Sequence, residues 1–210
     1  MLLTATGLSK RFAREWIFRN LTHAFHAGTA TAILGPNGSG KSTLLNTLSG
    51  QLLPSEGTLT YAYQGKPVAV EEVPTYLAYA APYLELIEEL TLTELIQFHT
   101  RFKPLRPGLT PAALIELMYL EKSRHKLVRD FSSGMKQRLK LALALYAEAP
   151  LLLLDEPTTN LDRTGVDWYL EHVRATLAGR TVLVSSNVPE EYDFCQEQLL
   201  ITDFGAKAAR

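Results

Sequence analysis

The stretch Gly35-Pro36-Asn37-Gly38-Ser39-Gly40-Lys41-Ser42 decides how the rest of the chain is read. It fits the pattern G-x-x-x-x-G-K-[ST], and its context fits too: the strand-like Thr29–Leu34 precedes it and the helical-looking Lys41–Leu48 follows. Glycines let a backbone curl so that successive N–H groups and a helix N-terminus aim at phosphates; a lysine adds mobile positive charge and a hydroxyl can ligate Mg²⁺. Gly35, Pro36, Asn37, Gly38, Ser39, Gly40, Lys41, Ser42 and Thr43 therefore read as nucleotide-binding, with Lys41 also a catalytic charge and Ser42 a metal ligand. Chance yields such a pattern about 0.005 times in a chain of this composition.

Downstream, Leu151-Leu152-Leu153-Leu154-Asp155-Glu156 sets two carboxylates at the end of a short buried run, where α/β sheets bind ligands. In a nucleotide hydrolase such a strand supplies one acid that holds Mg²⁺ and a group that orients water. Asp155 fits the metal role, and Glu156 is the expected general base.

Around these motifs, residues 1–70 alternate β-rich pieces with turns: Leu2–Leu8, Leu21–His26, Gly57–Tyr63 and Val68–Val70 join Thr29–Leu34 as expected strands. From Leu92 the pattern turns helical, with Leu92, Leu95, Ile96 and His99 on one face until Pro104 and Pro107. Thr110-Pro111 opens a second helix with Leu114, Leu117 and Met118 inward; a third carries Met135, Leu139, Ala142, Leu143 and Tyr146 and stops at Pro150. After the Asp-Glu strand, Val166, Leu170, Val173 and Leu177 share a helical face, Gly179 fits the position past its end, and Thr181–Ser185 is a strand. Alternating strands and helices imply a parallel sheet covered on both sides. The expected division is an α/β core of 1–83 and 150–210 with a helical insert at 84–149.

Composition narrows the function. The 210 residues carry 21 Lys+Arg against 22 Asp+Glu, a formal charge of −1, which removes the clustered basic excess expected of a nucleic-acid coat, so no nucleic-acid partner is expected. Apolar runs fall far short of the ~20 residues of a membrane span. Cys195 is the only cysteine, the N-terminus shows no signal-peptide pattern, and the five histidines lack metal-ligand spacing. The acidic run Glu85, Glu88, Glu89 and Glu94 reads as a solvated face.

One further segment, Phe131-Ser132-Ser133-Gly134-Met135-Lys136-Gln137-Arg138, lies before a helix and ahead of the Asp-Glu strand. A serine before a helix start is an N-cap, and a helix start is also an anion site. Together with the two nucleotide motifs and Asp155-Glu156-Pro157-Thr158-Thr159-Asn160-Leu161-Asp162, it resembles the nucleotide-binding domain of ABC transporters across nearly the whole chain. The segment is similar to that family's L-S-G-G-Q signature: Ser132 and Gly134 match, while Ser133 and Met135 replace its second glycine and its glutamine.

The resemblance implies a P-loop NTPase core with an N-terminal antiparallel β region and an inserted helical subdomain. It implies ATP and Mg²⁺ as cofactors and a head-to-tail homodimer, or a heterodimer with a related ATPase. Ser132, Ser133 and Gly134 of one subunit would face the γ-phosphate held by Lys41 of the other, with Asp162 in the adjoining D-loop. Phe12, after Lys10-Arg11, stands where the family stacks an aromatic on adenine. It further implies integral-membrane permease subunits in separate chains, docked near Leu84–Thr100, and a peripheral place on the cytoplasmic membrane face. The Met-Lys-Gln-Arg continuation and short length resemble export-type ATPases, including the haem-exporter-like group.

Two family elements are missing. The glutamine of the loop into the insert falls at Ala81 or Pro82 within Tyr79-Ala80-Ala81-Pro82-Tyr83, and the histidine after the last core strand is replaced by Asn187. Asn187 is the expected γ-phosphate contact, weaker as a catalytic group because an amide cannot become cationic near neutral pH. The departures leave room for a nucleotide-gated regulatory or binding module with vestigial hydrolysis. A small GTPase fits less well, since Asn187-Val188-Pro189-Glu190 is not N-K-x-D.

Overall fold

A computed structural model describes residues 1–205; residues 206–210 of the expected 150–210 segment lie outside the described residues. β1 (Leu2–Phe12) and β2 (Glu15–Phe25) form a hairpin in which Phe12 faces Glu15. β3 (Ala30–Leu34) runs into the glycine-rich loop and α1 (Lys41–Leu48). β4 (Glu56–Tyr63) and β5 (Lys66–Val68) complete an antiparallel sheet ordered β2-β1-β4-β5. A single turn, α2 (Val73–Tyr76), leads to β6 (Leu77–Ala80), and then come α3 (Leu92–Phe102), α4 (Pro111–Leu117) and α5 (Ser133–Leu145). β7 (Leu151–Asp155), α6 (Arg163–Ala175), β8 (Thr181–Ser185) and β9 (Glu197–Leu200) follow. The second sheet, ordered β6-β7-β8-β3-β9, is parallel throughout.

Strand alternation sends the two faces of this sheet into different cores. Leu152, Leu154, Val182 and Val184 pack with Leu92, Leu95, Ile96, Leu114, Leu139 and Leu145 from α3, α4 and α5. Leu151, Leu153, Ile33 and Leu183 pack with Leu44, Leu45 and Leu48 of α1 and with Leu3, Phe18 and Phe25 of the antiparallel sheet. The three helices between β6 and β7 thus share a core with the sheet and do not close one of their own. Parallel strands buried on both faces need continuous apolar runs, and β7 and β8 supply them.

Helix boundaries follow local chemistry. Thr91 and Glu94 make a reciprocal capping box at α3, and Thr110 caps α4 with Pro111 in its first turn. At the far end of α5, the buried Arg180 guanidinium donates to Ala144 O and Leu145 O, carbonyls the helix leaves unpaired, and to Ala149 O in the following loop.

The fold corrects several sequence readings. The strand expected at Val68–Val70 ends at Val68, and Val70–Glu72 is a 3₁₀ turn. β2 begins at Glu15, well before Leu21, because it pairs along the length of β1. α6 buries Gly165, Trp168, Tyr169, His172 and Val173, a face rotated from the expected Val166, Leu170, Val173 and Leu177; Leu177 lies beyond its last turn. The rotation is tolerated because the Trp168 indole donates to Leu117 O and the Tyr169 hydroxyl to Glu191 O. Within the acidic run, Glu88 accepts from Lys136 Nζ at 2.5 Å and Glu94 caps α3.

Candidate functional site

Because the strands run parallel, their carboxyl ends reach one edge of the sheet, where crevices form. Ser185 registers with both Ile33 and Asp155, and Ala80 with Leu154. The glycine-rich loop, Asp155-Glu156, Asn187 and the segment after Ala80 therefore come together at that edge.

The loop is built for an anion. Gly40, at φ 98°, delivers the chain into α1 with no side-chain cap, leaving the helix N-terminal N–H groups open. A Cβ on Gly40 would fall 2.2 Å from Ile17 Cγ2, so only glycine lets β2 press on the loop. The nearly buried Lys41 donates to Gly35 O at 2.9 Å and Pro36 O at 3.3 Å, which holds its ammonium inside the loop. Phe12 is half exposed at the tip of the hairpin that carries Ile17, with Lys10 Nζ 5.1 Å above its ring.

Asp155 is 1% exposed, and neither carboxylate oxygen has a hydrogen-bond partner among the described residues. A buried carboxylate without a donor is costly, and a cation is the natural complement. Ser42 in the first turn of α1 and Asp155 at the end of β7 thus fit Mg²⁺. Glu156 takes a left-handed conformation, φ 42°, held by its N–H donating to Ser185 O at 2.9 Å, while Gln137 Nε2 donates to Pro157 O at 2.8 Å. Such a strained backbone persists only where surroundings fix it.

Asn187 meets the loop directly: its Nδ2 donates to Asn37 Oδ1 at 2.6 Å. Four residues on, the buried Glu191 accepts from Thr158 N–H at 2.9 Å and from the Thr158 hydroxyl. It braces the chain after Glu156 against the Asn187 segment. The sequence carries no signal for this residue, because its partner lies 33 positions away.

At the expected glutamine position, Ala81 is fully buried and the Pro82 carbonyl accepts from Lys140 Nζ at 2.6 Å. Tyr83 then folds back so that its hydroxyl lies 2.5 Å from the Tyr79 hydroxyl and 3.5 Å from Asn46 Oδ1, which also accepts from Tyr79 at 3.2 Å. Burial above all, and the Asp155 carboxylate nearby, push both phenol pKa values up, so both stay protonated donors at neutral pH.

The segment at α5 is arranged differently. Ser132 caps the helix, its Oγ accepting from Met135 N–H at 3.2 Å, and a Cβ on Gly134 would meet Asn160 O at 3.2 Å. Asp162 Oδ1 caps α6 by accepting from Gly165 N–H at 2.8 Å. Ser132, Ser133, Gly134 and Asp162 thus adjoin one another. Among the described residues, no hydrogen bond joins them to Gly35–Ser42 of the same chain. The described residues contain no metal-ligating histidine or cysteine cluster.

A family profile described as ABC transporter matches residues 18–159. The Nod factor export ATP-binding protein I of Rhizobium johnstonii is 32% identical over 207 residues, covering 97% of this chain and 67% of the relative. Its counterpart in Ralstonia nicotianae is 31% identical over 214 residues, covering 100% of this chain and 66% of that protein, so the chain spans about two thirds of these relatives. A solved ATP-binding subunit of an ABC transporter superposes with TM-score 0.82 at 27% identity, over 95% of this chain and 85% of that one. An ATP-binding cassette dimer in a post-hydrolysis state with ADP and Pi has a TM-score of 0.80 at 21% identity over 94% and 93%, a likeness of fold.

Proposed function

The chain belongs to the ABC transporter family, and from that premise we propose that it is the ATP-binding, ATP-hydrolysing subunit of a transporter whose translocation path lies in separate permease chains. The observation that carries the reading is the buried, unpartnered Asp155 carboxylate beside the open N-terminus of α1. Phosphates dock on the uncapped N–H groups at the start of α1 and on Lys41, and adenine stacks on Phe12. Ser42 and Asp155 would hold Mg²⁺, which would supply positive charge to offset that of the phosphates.

Glu156 accepts the proton of the attacking water, and the strained turn at that residue aims its carboxylate from the sheet edge. Asn187 donates to the γ-phosphate in exchange for its bond to Asn37. Ser132, Ser133 and Gly134 complete the site from a second subunit, as a homodimer or with a related ATPase, with Asp162 ordering the adjoining turn.

Permease subunits dock over residues 84–149, in the cleft lined by Leu84, Glu85, Leu86, Glu88, Lys136 and Lys140, which puts the chain on the inner membrane face. No described helix is long and apolar enough to cross a membrane. The relatives' names favour export. Ala81, Pro82 and Asn187 favour a second reading, a nucleotide-gated module with vestigial turnover, and an ATPase rate indistinguishable from that of Glu156→Gln selects it.

The test of dimerisation is Glu156→Gln with Mg-ATP on size exclusion. This variant binds nucleotide without activating water, so a stable dimer is expected. A monomer alone, at protein and nucleotide concentrations well above the nucleotide Kd, contradicts the reading.

A further inference from the structure

The missing glutamine leaves an unexplained arrangement in its place. Ser42 and Asn46 stand four residues apart on α1, and side chains at that spacing share a helix face. Asp155 ends β7 next to the β6 end, since Ala80 registers with Leu154. Tyr83 reaches the same place from the loop: its hydroxyl is 3.5 Å from Asn46 Oδ1 and close enough to Asp155 to feel its charge. Two contacts fix it there. Lys140 pins the Pro82 carbonyl, and the Tyr79 hydroxyl, on a ring packed against the core, lies 2.5 Å from that of Tyr83. Tyr83 remains 51% exposed and also lines the cleft of Leu84, Glu85 and Lys140, so its ring is not sealed inside the core. Neither Ala81 nor Pro82 can offer a polar side chain, and Ala81 points into the protein.

We propose that Tyr83, braced by Tyr79 and Asn46, stands in for the absent glutamine as a positioning residue: its hydroxyl hydrogen-bonds water of the magnesium nucleotide between Ser42 and Asp155. This rests on the nucleotide-binding reading above. With Tyr79 donating to Asn46 Oδ1 and Tyr83 donating to Tyr79, the Tyr83 oxygen keeps a lone pair to accept from that water at a fixed radius from the backbone. It does not supply the amide's separate donor and acceptor ends. Tyr79 anchors the pair, because it is the more buried of the two.

The experiment is a titration of a fluorescent, non-hydrolysable ATP analogue into the full chain at increasing free Mg²⁺ and in EDTA. Removing one hydrogen bond of about 1 kcal/mol predicts that Tyr83→Phe raises the half-effective Mg²⁺ concentration about fivefold. Its affinity in EDTA stays within about twofold of wild type, the level of change expected when no contact is lost. Tyr83→Gln, which restores a polar end, returns the Mg²⁺ midpoint toward wild type. An unmoved midpoint in Tyr83→Phe, or an equal loss of affinity in EDTA, overturns the proposal; the second result marks a merely structural tyrosine. A wild type that binds no nucleotide in either condition overturns the nucleotide-binding reading itself, and this proposal with it.

Discussion

Two helix starts face opposite chemical fates in this molecule. α1 begins at Gly40 with a left-handed turn, no capping side chain and Lys41 folded into the loop beside it. α5 begins at Ser132 with an ordinary cap that already occupies the Met135 N–H. Both are positive ends of a helix dipole, so both attract anions. On the proposed reading the first holds phosphate within one chain, whereas the second offers a partial site and no lysine of the loop type. A helix N-terminus alone therefore does not mark a nucleotide site; its loop, cap and neighbouring charge decide how much of one it is.

The two helix starts differ most at their glycines. Gly40→Ala forces a Cβ against Ile17 in a left-handed conformation and should weaken nucleotide binding about 100-fold, from strain of roughly 3 kcal/mol. Gly134 has no such backbone requirement, and its nearest neighbour would sit at 3.2 Å, so Gly134→Ala should leave binding to the isolated chain nearly unchanged. Equilibrium nucleotide titration of both variants checks this; equal losses would erase the distinction.

A smaller effect is expected beside the first helix start. Asn187 touches the loop through Asn37, and on the proposed reading it exchanges that bond for one to phosphate. Asn187→His restores a group that can carry charge and should raise kcat about tenfold with little change in apparent affinity, a modest part of what such donors supply elsewhere. The gain should fade as pH rises through the imidazole pKa, ordinarily about 6.5, because the charged donor is then lost. Steady-state assays of wild type, Asn187→His and Asn187→Ala decide it, and three equal rates would remove Asn187 from the site.

The smallest effect belongs to the second start. Ser132→Ala removes the cap of α5 and should cost about 1 kcal/mol of stability in urea unfolding without nucleotide. Unchanged stability would mean that the cap is idle.

Much of the first helix start was legible because it is local. The loop, the strand before it and the apolar run ending in Asp155 are contiguous patterns, and the register of the parallel sheet then brings them together. β6 and β9 were not legible: Leu77-Ala78-Tyr79-Ala80 is short and alanine-rich, and Glu197–Leu200 is half polar. Both are strands because neighbours already in the sheet pair with them. The buried face of α6 was misjudged because a glycine and a histidine lie on it, residues that a count of apolar positions passes over. The Asn37–Asn187 contact joins residues 150 positions apart, and the return of Tyr83 toward α1 depends on Lys140 holding Pro82. No spacing in the sequence encodes either.

On the proposed reading, the α5 helix start of one subunit completes the nucleotide site at α1 of another. Mixing a Lys41→Ala chain with a Gly134→Asp chain tests it directly. Each chain alone should be nearly inactive, for want of the lysine or of space for phosphate at the signature. In a head-to-tail dimer, one of the two composite sites in the mixed pair keeps both Lys41 and Gly134 intact. ATPase activity should therefore reappear on mixing and rise with the fraction of mixed dimers. A mixture as inactive as its separate components, at concentrations where Glu156→Gln dimerises with Mg-ATP, would contradict the account.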